Sequence, residues 1–349
     1  MNKFATFTEQ IYAAEHPLQE GSWPKQGVEI LREHRSWGAS FSKEYSGSQV
    51  SEPEQVALYR AIAAGSVSLA LILTQHDGAC RLIEGSDNPR LAQAYLPKLA
   101  EGTIATVGIS HLTTSNRPDV LRGKAVEGGY RLSGILPWVT SAPKAAVIVA
   151  GAFLEDEQQI LFVLPTDTEG LQVQEPFELM GVQSSWTCEV RCQDIFVPET
   201  NILRGPTEKV LASRAPVKSL TVSSVGMGLA DRLMTHTRTE NERQGGIFQE
   251  VLQKAEDTYQ ELDQLLSYTL ENLHTPEKNT LAFTHRTRLN DFLSKLASTC
   301  TILSKGSGYV RSHPAQKLAR EAFFFLVWSA PQAVRQQTLS HIWSDGTSS

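Results

Sequence analysis

The chain has 349 residues, of which 41% are hydrophobic and 20% charged, a balance that buries a core and excludes disorder for the bulk of it. At ~150 residues per domain the length suggests two or three domains. The 38 acidic side chains outnumber the 32 basic ones, for a net charge of −6, which argues against a nucleic-acid or anionic-membrane binder, because both need an excess of Lys and Arg facing phosphates.

The first block, up to about residue 102, reads as helical. Ser51-Glu52-Pro53-Glu54 is a capping box with a proline in the first turn, and Gln55 to Ala64 continues at helical spacing. Ser66 to Leu73 is apolar almost all round, as a helix buried on every side would be. It is also far shorter than the ~20 residues that span a bilayer. Ser86-Asp87-Asn88-Pro89 opens another helix that carries Leu91, Tyr95, Leu96 and Leu99 and stops at Gly102. Met1-Asn2-Lys3-Phe4 begins no secretion signal, so a cytoplasmic location is expected.

From residue 103 the period changes. Thr103 to Ile109, Tyr130 to Ser133, Ala145 to Phe153, Gln159 to Leu164 and Cys188 to Val197 are short, rich in β-branched or aromatic residues and bounded by turns such as Glu127-Gly128-Gly129. Such close strands predict an antiparallel barrel or sandwich, and no Gly-rich phosphate loop is present. From about Gly205 the chain is helical again. Leu211 to Arg238, Phe248 to Leu273, Pro276 to Leu303 and Pro314 to Ile342 read as a four-helix bundle, followed by a polar tail, Ser344 to Ser349. The fold class is thus α+β, with a helical domain at 1–102, a β-domain at 103–204 and a bundle at 205–343. The four cysteines are too scattered for a disulfide framework. Cys188 and Cys192 share one face of a strand without a second metal-binding pair, so they read as buried thiols and no metal site is expected.

This order of helices, small β-domain and bundle resembles the acyl-CoA dehydrogenase family of flavoproteins, and local residues carry the resemblance. Gly128-Gly129-Tyr130-Arg131-Leu132-Ser133-Gly134 leads into Trp138-Val139-Thr140-Ser141, like the family's strand, turn and Trp-Ile-Thr segment. Met180-Gly181-Val182-Gln183-Ser184-Ser185-Trp186-Thr187 and Asp194-Ile195-Phe196-Val197-Pro198 look like its Met-Gly and Val-Pro strands. Gly306-Ser307-Gly308-Tyr309, followed by Lys317-Leu318-Ala319-Arg320-Glu321-Ala322, resembles its Gly-rich turn and Arg-Asp helix. The resemblance implies FAD. Trp138 and Thr140 would then meet the flavin ring, with Ile109 and Ser110 at the end of the first strand beside it. Arg238 or Arg243 would reach the pyrophosphate of a neighbouring subunit's FAD, since a guanidinium suits a phosphate by forked hydrogen bonding, and Gly306 and Gly308 would also contact the cofactor. A homodimer or homotetramer follows from the same likeness, because the family's bundles pack together.

The same resemblance exposes a departure. Dehydrogenation of an acyl thioester needs a base for the α-proton while the flavin accepts the β-hydride, and most of the family supplies a glutamate after the Arg-Asp pair. Counting forward from Arg320-Glu321 reaches Trp328-Ser329-Ala330-Pro331, so Ser329 stands at that position and Pro331 replaces a flavin-contacting threonine. A serine without an adjacent base cannot do the work at neutral pH. The alternative place, at the start of the first bundle helix, offers Lys218 in Pro216-Val217-Lys218 and no acid. His111, in Ser110-His111-Leu112 where the family has Thr-Glu-Pro, is a weak candidate for the base. Three readings follow: an oxidoreductase acting on an acyl thioester (acyl-CoA or acyl carrier) with electrons passing to an acceptor; a flavin monooxygenase of the same fold fed by a flavin reductase; or a silent binding or assembly subunit.

Overall fold

The computed structural model describes residues 4–16, 20–114, 117–212 and 218–343; the expected tail at 344–349, together with Pro216 and Val217, lies outside them. The N-terminal third forms α1 (Ala5–Glu15), α2 (Lys25–Glu33), α3 (Glu52–Gly65), α4 (Val67–Glu84) and α5 (Pro89–Ala100). The capping box at Ser51 closes in both directions: its hydroxyl takes the Glu54 N–H, and the Glu54 carboxylate takes the Ser51 N–H at 3.1 Å.

Helix α4 is buried along most of its length, so its polar residues need internal partners. His76 finds them in two other segments: its Nδ1 accepts the Ala105 N–H at 3.2 Å and its Nε2–H donates to the Trp37 carbonyl at 3.0 Å. Asp77 accepts from Ser40 Oγ at 2.9 Å, Gln55 Nε2 at 2.9 Å and Tyr59 Oη at 2.6 Å.

The sheet is built from β1 (Ala105–Gly108), β2 (Arg122–Val126), β3 (Gly129–Val139), β4 (Val147–Leu154), β5 (Gln159–Pro165), β6 (Leu171–Val173), β7 (Cys188–Pro198) and β8 (Ile202–Thr207), with a short helix, α6 (His111–Thr114), after β1. Its order is β6-β7-β3-β2-β4-β5-β8, with β1 also on β4. The sheet is therefore mixed rather than antiparallel as expected: β1 runs parallel to β4 from Ala105↔Val147 to Gly108↔Ala150, and β2 meets β4 in parallel at Arg122 and Gly123. The long connection from β1 to β4 supplies the crossover that parallel pairing requires. Strand β4 is apolar on both faces because both are covered: Val147 and Val149 pack toward the α4–α5 side, Ile148 and Ala150 toward the β3–β7 side. Cys188 and Cys192 lie buried in the latter cluster, and burial pushes their thiols up to about 11 and about 12.

The C-terminal part contains α7 (Lys218–Arg243), α8 (Gln249–Glu271), α9 (Lys278–Leu303), α10 (Pro314–Phe324) and α11 (Gln332–Trp343). The last helix expected from the sequence is split in two. Ser329 sits at φ +46°, and Pro331 disfavours helix in the residue before it, so the chain turns and α10 and α11 both pack on α9. Helix α7 docks on α3 at Gly228, where a Cβ would lie 2.2 Å from the Arg60 carbonyl. Arg60 then forks onto Asp231 at 2.8 and 2.9 Å and also reaches Asp263 and Tyr259.

Glu15 of α1 is 4% exposed, beside Ser66 at the N-cap of α4 and Gly27 of α2. Burial, opposed by the nearby Lys317 charge, pushes its carboxyl up to about 7. A raised folded-state value means stability present at low pH is lost as pH rises through about 7. The buried His76, His111 and His285, pulled down to about 4, act in the opposite direction below their ordinary value. The Glu15 contribution is therefore read as a difference: the melting temperature of Glu15→Gln minus wild type becomes more positive from pH 5 to pH 8. A difference that stays constant over that range would contradict the assignment.

Candidate functional site

The end of β3 concentrates the residues that the sequence singles out. Val139 is fully buried and Thr140 nearly so, yet the adjacent Trp138 remains 55% exposed, with Phe177 as its ring partner at 4.9 Å. Thr140 Oγ1 is 3.1 Å from Thr187 Oγ1, which is 2.9 Å from Ser185 Oγ. Three hydroxyls joined by two hydrogen bonds retain one O–H proton for a further acceptor. The sequence places Ser185 and Thr187 inside the Met-Gly segment without a role; only the folding of the chain around the start of β7 against the end of β3 brings them to Thr140.

The backbone around this chain of hydroxyls is strained. Ser141, Val182 and Trp186 have φ of 55°, 51° and 48°, and a left-handed valine is a genuine outlier, since its branched Cβ crowds the following peptide. Ser141 N–H donates to the Ser185 carbonyl at 2.9 Å and Ser185 N–H to the Val182 carbonyl at 2.9 Å, so Ser185 ties two of the strained residues together. Strain of this kind clusters at binding and catalytic sites. The loop is anchored from outside by α10: Arg320 donates to the Met180 carbonyl at 2.7 Å, and Gly181 lies so close that a Cβ would be 2.9 Å from the Arg320 carbonyl.

At the end of β1, Ile109 is buried and Ser110 leads into α6. His111, 1% exposed, turns inward onto β4, where Nε2–H donates to the Gly151 carbonyl at 3.0 Å and the ring edge meets Phe153. Burial pulls it down to about 4, so it is a neutral ring committed to the sheet. Ser329 occupies the turn between α10 and α11. Behind that turn Arg286 of α9, itself buried, donates to the carbonyls of Phe325 at 2.5 Å and Trp328 at 3.0 Å.

The remaining candidates separate. Arg238 pairs with Glu256 of α8 at 2.5 Å and lines a groove of about 520 Å³ between α1, α3, α7 and α8. Arg243 ends α7, bonded to Glu240 at 2.6 Å with its side chain 67% exposed. Gln244 beside it reaches the Leu303 carbonyl at 2.8 Å, which brings this end of α7 to the turn Lys305–Tyr309 carrying Gly306 and Gly308. Arg243, Gly306 and Gly308 thus share one end of the bundle, whereas Arg238 stands on another face of it.

A helical entry, a mixed β-sheet with a strained turn under an exposed tryptophan, and a helical bundle define the acyl-CoA dehydrogenase fold class. A family model described as the acyl-CoA dehydrogenase N-terminal domain matches residues 2–103. A Bacillus subtilis protein named as a probable acyl-CoA dehydrogenase is 25% identical over 332 residues, 88% of this chain and 87% of its own. The solved glutaryl-coenzyme A dehydrogenase in complex with glutaryl-CoA has a TM-score of 0.85 at 18% identity, over 97% of this chain and 92% of its own. A nitrososynthase from Micromonospora carbonacea var. africana has a TM-score of 0.81 at 18% identity, over 96% and 93%. Residues 2–103 match that family's N-terminal domain, and over most of its length the chain is similar to acyl-CoA dehydrogenases and shares their fold.

The close approach at Gly181 yields a direct test. Gly181→Ala places a methyl group against backbone rather than a flexible side chain, so it must part the loop from α10. The expected cost is about 1–3 kcal/mol, seen as a lower denaturation midpoint. An unchanged midpoint would show that the contact does not constrain the loop.

Proposed function

We propose that this chain is an FAD-dependent oxidoreductase acting on an acyl thioester, with its catalytic base displaced from the usual turn or absent. The observation that carries the reading is the end of β3, where a large flat indole is left half-exposed beside a hydroxyl chain with a proton to give. These features fit a flavin. An isoalloxazine ring needs a flat apolar wall and hydrogen-bond donors at its polar edge. When bound, FAD supplies the hydride acceptor. Trp138 provides the wall, the Thr140 hydroxyl a donor that tunes the ring, and Ile109 and Ser110 close the edge at the end of β1.

Arg243 with Gly306 and Gly308 is the better phosphate site of the two arginine candidates. Its guanidinium is largely exposed, and a Cβ at Gly306 would meet nothing within 4 Å, so backbone is open to a ligand there. That group lies on the bundle, away from the end of β3, which supports a homodimer or homotetramer in which it serves a neighbouring copy's cofactor. Ile247, Ile302, Tyr309 and Val310 expose apolar surface at the same end, as a subunit contact would need. Electrons would leave to a protein acceptor.

A second reading, a flavin monooxygenase supplied by a reductase, is favoured by Ser329 and by the likeness to a nitrososynthase. The visible spectrum of the purified protein, before and after anaerobic addition of acyl-CoAs, decides between them. Flavin bands that bleach with one thioester support the proposal. Bands that stay oxidised with every thioester support the second reading. A colourless protein that takes up no added FAD overturns both and leaves a binding subunit. In a flavin-containing protein, Trp138→Ala is expected to weaken FAD retention about tenfold or more, since the ring loses its aromatic wall; equal retention in dialysis would remove Trp138 from the site.

A further inference from the structure

At the end of the bundle where α7 and the turn before α10 converge, three side chains with metal-binding atoms face one another. His236 and Glu240 stand one helical turn apart on α7, a spacing that puts both on one face. His313, at the N-cap of α10, approaches from across the gap. One ligand atom from each of the three lies within 4.8 Å of the others. His236 Nε2 is 4.0 Å from Glu240 Oε1 and 3.5 Å from Ser304 Oγ, and the two imidazoles meet edge to face at 5.5 Å. Glu240 is 8% exposed, so this is not a solvated acidic patch.

We propose that His236, Glu240 and His313 form a binding site for a divalent transition-metal ion of the zinc type, with water completing the coordination. Two imidazoles and a carboxylate are a donor set that zinc accepts with an open fourth position. Bonds of about 2.0–2.2 Å hold tetrahedral donor atoms roughly 3.4 Å apart, so the three side chains need only close inward from their present spacing. The site adjoins the Arg243 and Gly306 group of the oxidoreductase reading, sharing Glu240 with Arg243, but does not rest on that reading.

Two existing hydrogen bonds report on such binding. Glu240 Oε1 accepts from Arg243 at 2.6 Å, and an ion on that carboxylate competes with the guanidinium. His313 Nδ1 accepts the Ala315 N–H at 3.2 Å, capping α10. If the ion binds Nδ1, it takes the lone pair that the cap uses. If it binds Nε2, the ring proton moves to Nδ1 and the cap bond is again lost. Either way, metal capture must free the Ala315 N–H, which no adventitious ion elsewhere would do.

The test is equilibrium dialysis of the chelator-treated full chain against Zn²⁺, with metal content by mass spectrometry and amide exchange at Ala315. The expected result is one zinc per chain, lost or weakened at least tenfold in both His236→Gln and His313→Asn. The second variant keeps a side chain that can cap α10, so its loss of zinc cannot be assigned to an unravelled helix. Exchange at Ala315 should quicken when zinc is added to wild type and stay unchanged in His236→Gln. No zinc retained by wild type overturns the proposal, as does equal retention in the variants, where other histidines among the 9 in the chain would be responsible. Zinc binding that leaves Ala315 exchange unaltered removes His313 from the site and overturns the three-ligand arrangement.

Discussion

One guanidinium joins the three blocks of the chain. Arg320, on α10 of the bundle, donates to the Met180 carbonyl in the loop before β7, accepts help in its placement from Gln316 one turn earlier, and pairs with Glu20 from the segment before α2. Glu20 is also 3.2 Å from Arg311, so the acid is held between two cations on either side of the start of α10. The Arg320 and Glu20 side chains are only 16% and 28% exposed, which sets this pair apart from the solvated ion pairs that contribute little. The contact exists because residue 181 is glycine; any Cβ there would push against the backbone of Arg320.

What depends on that junction is the strained loop. Met180 is held by its carbonyl, Gly181 packs against α10 for lack of a side chain, and Val182 follows in the left-handed region. The chain then turns through Ser185, whose carbonyl takes the Ser141 N–H, and reaches Thr187 under Thr140. The position of one hydroxyl proton at the end of β3 therefore follows from packing against α10, on a different block of the chain. A rigid support of this kind is what a binding site requires, because a donor left to wander makes a weak hydrogen bond.

The parts of the fold legible in the sequence are those whose causes are local. Ser51, Ser66 and Pro89 mark helix starts because caps and prolines act on adjacent backbone. Helices α1 and α2 have no side-chain cap, and no start signal reveals them. Strands β4 and β5 are visible as apolar runs, but β2 is exposed and charged, β6 has 3 residues and β8 contains Pro206; these three are strands only because a partner pairs with them. Parallel pairing of β1 with β4 is likewise invisible, being a property of two distant segments. At the site, Trp138, Thr140 and Ser329 could be singled out through family likeness, whereas Ser185, Thr187, His236 and His313 acquire meaning from contacts across the fold.

The turn carrying Ser329 is held by contacts that do not depend on the side chain at that position. Arg286 is a buried cation with no carboxylate partner among the described residues, and burial pulls its guanidinium down from its ordinary value. Its stabilisation comes from the Phe325 and Trp328 carbonyls, which lie at the C-terminal end of α10, where the helix dipole presents partial negative charge. Trp328 is stacked on Phe324 at 5.2 Å and braces the same turn from its other side. Neither interaction involves the side chain at 329, so the turn keeps its shape whether that residue is an acid or a serine. The consequence of serine is chemical rather than structural: a lone hydroxyl cannot accept an α-proton near neutral pH, and the sequence from Ala322 to Trp343 contains no other carboxylate. A proton acceptor for thioester oxidation must therefore come from outside this turn, whereas oxygenation driven by a separate reductase requires none here.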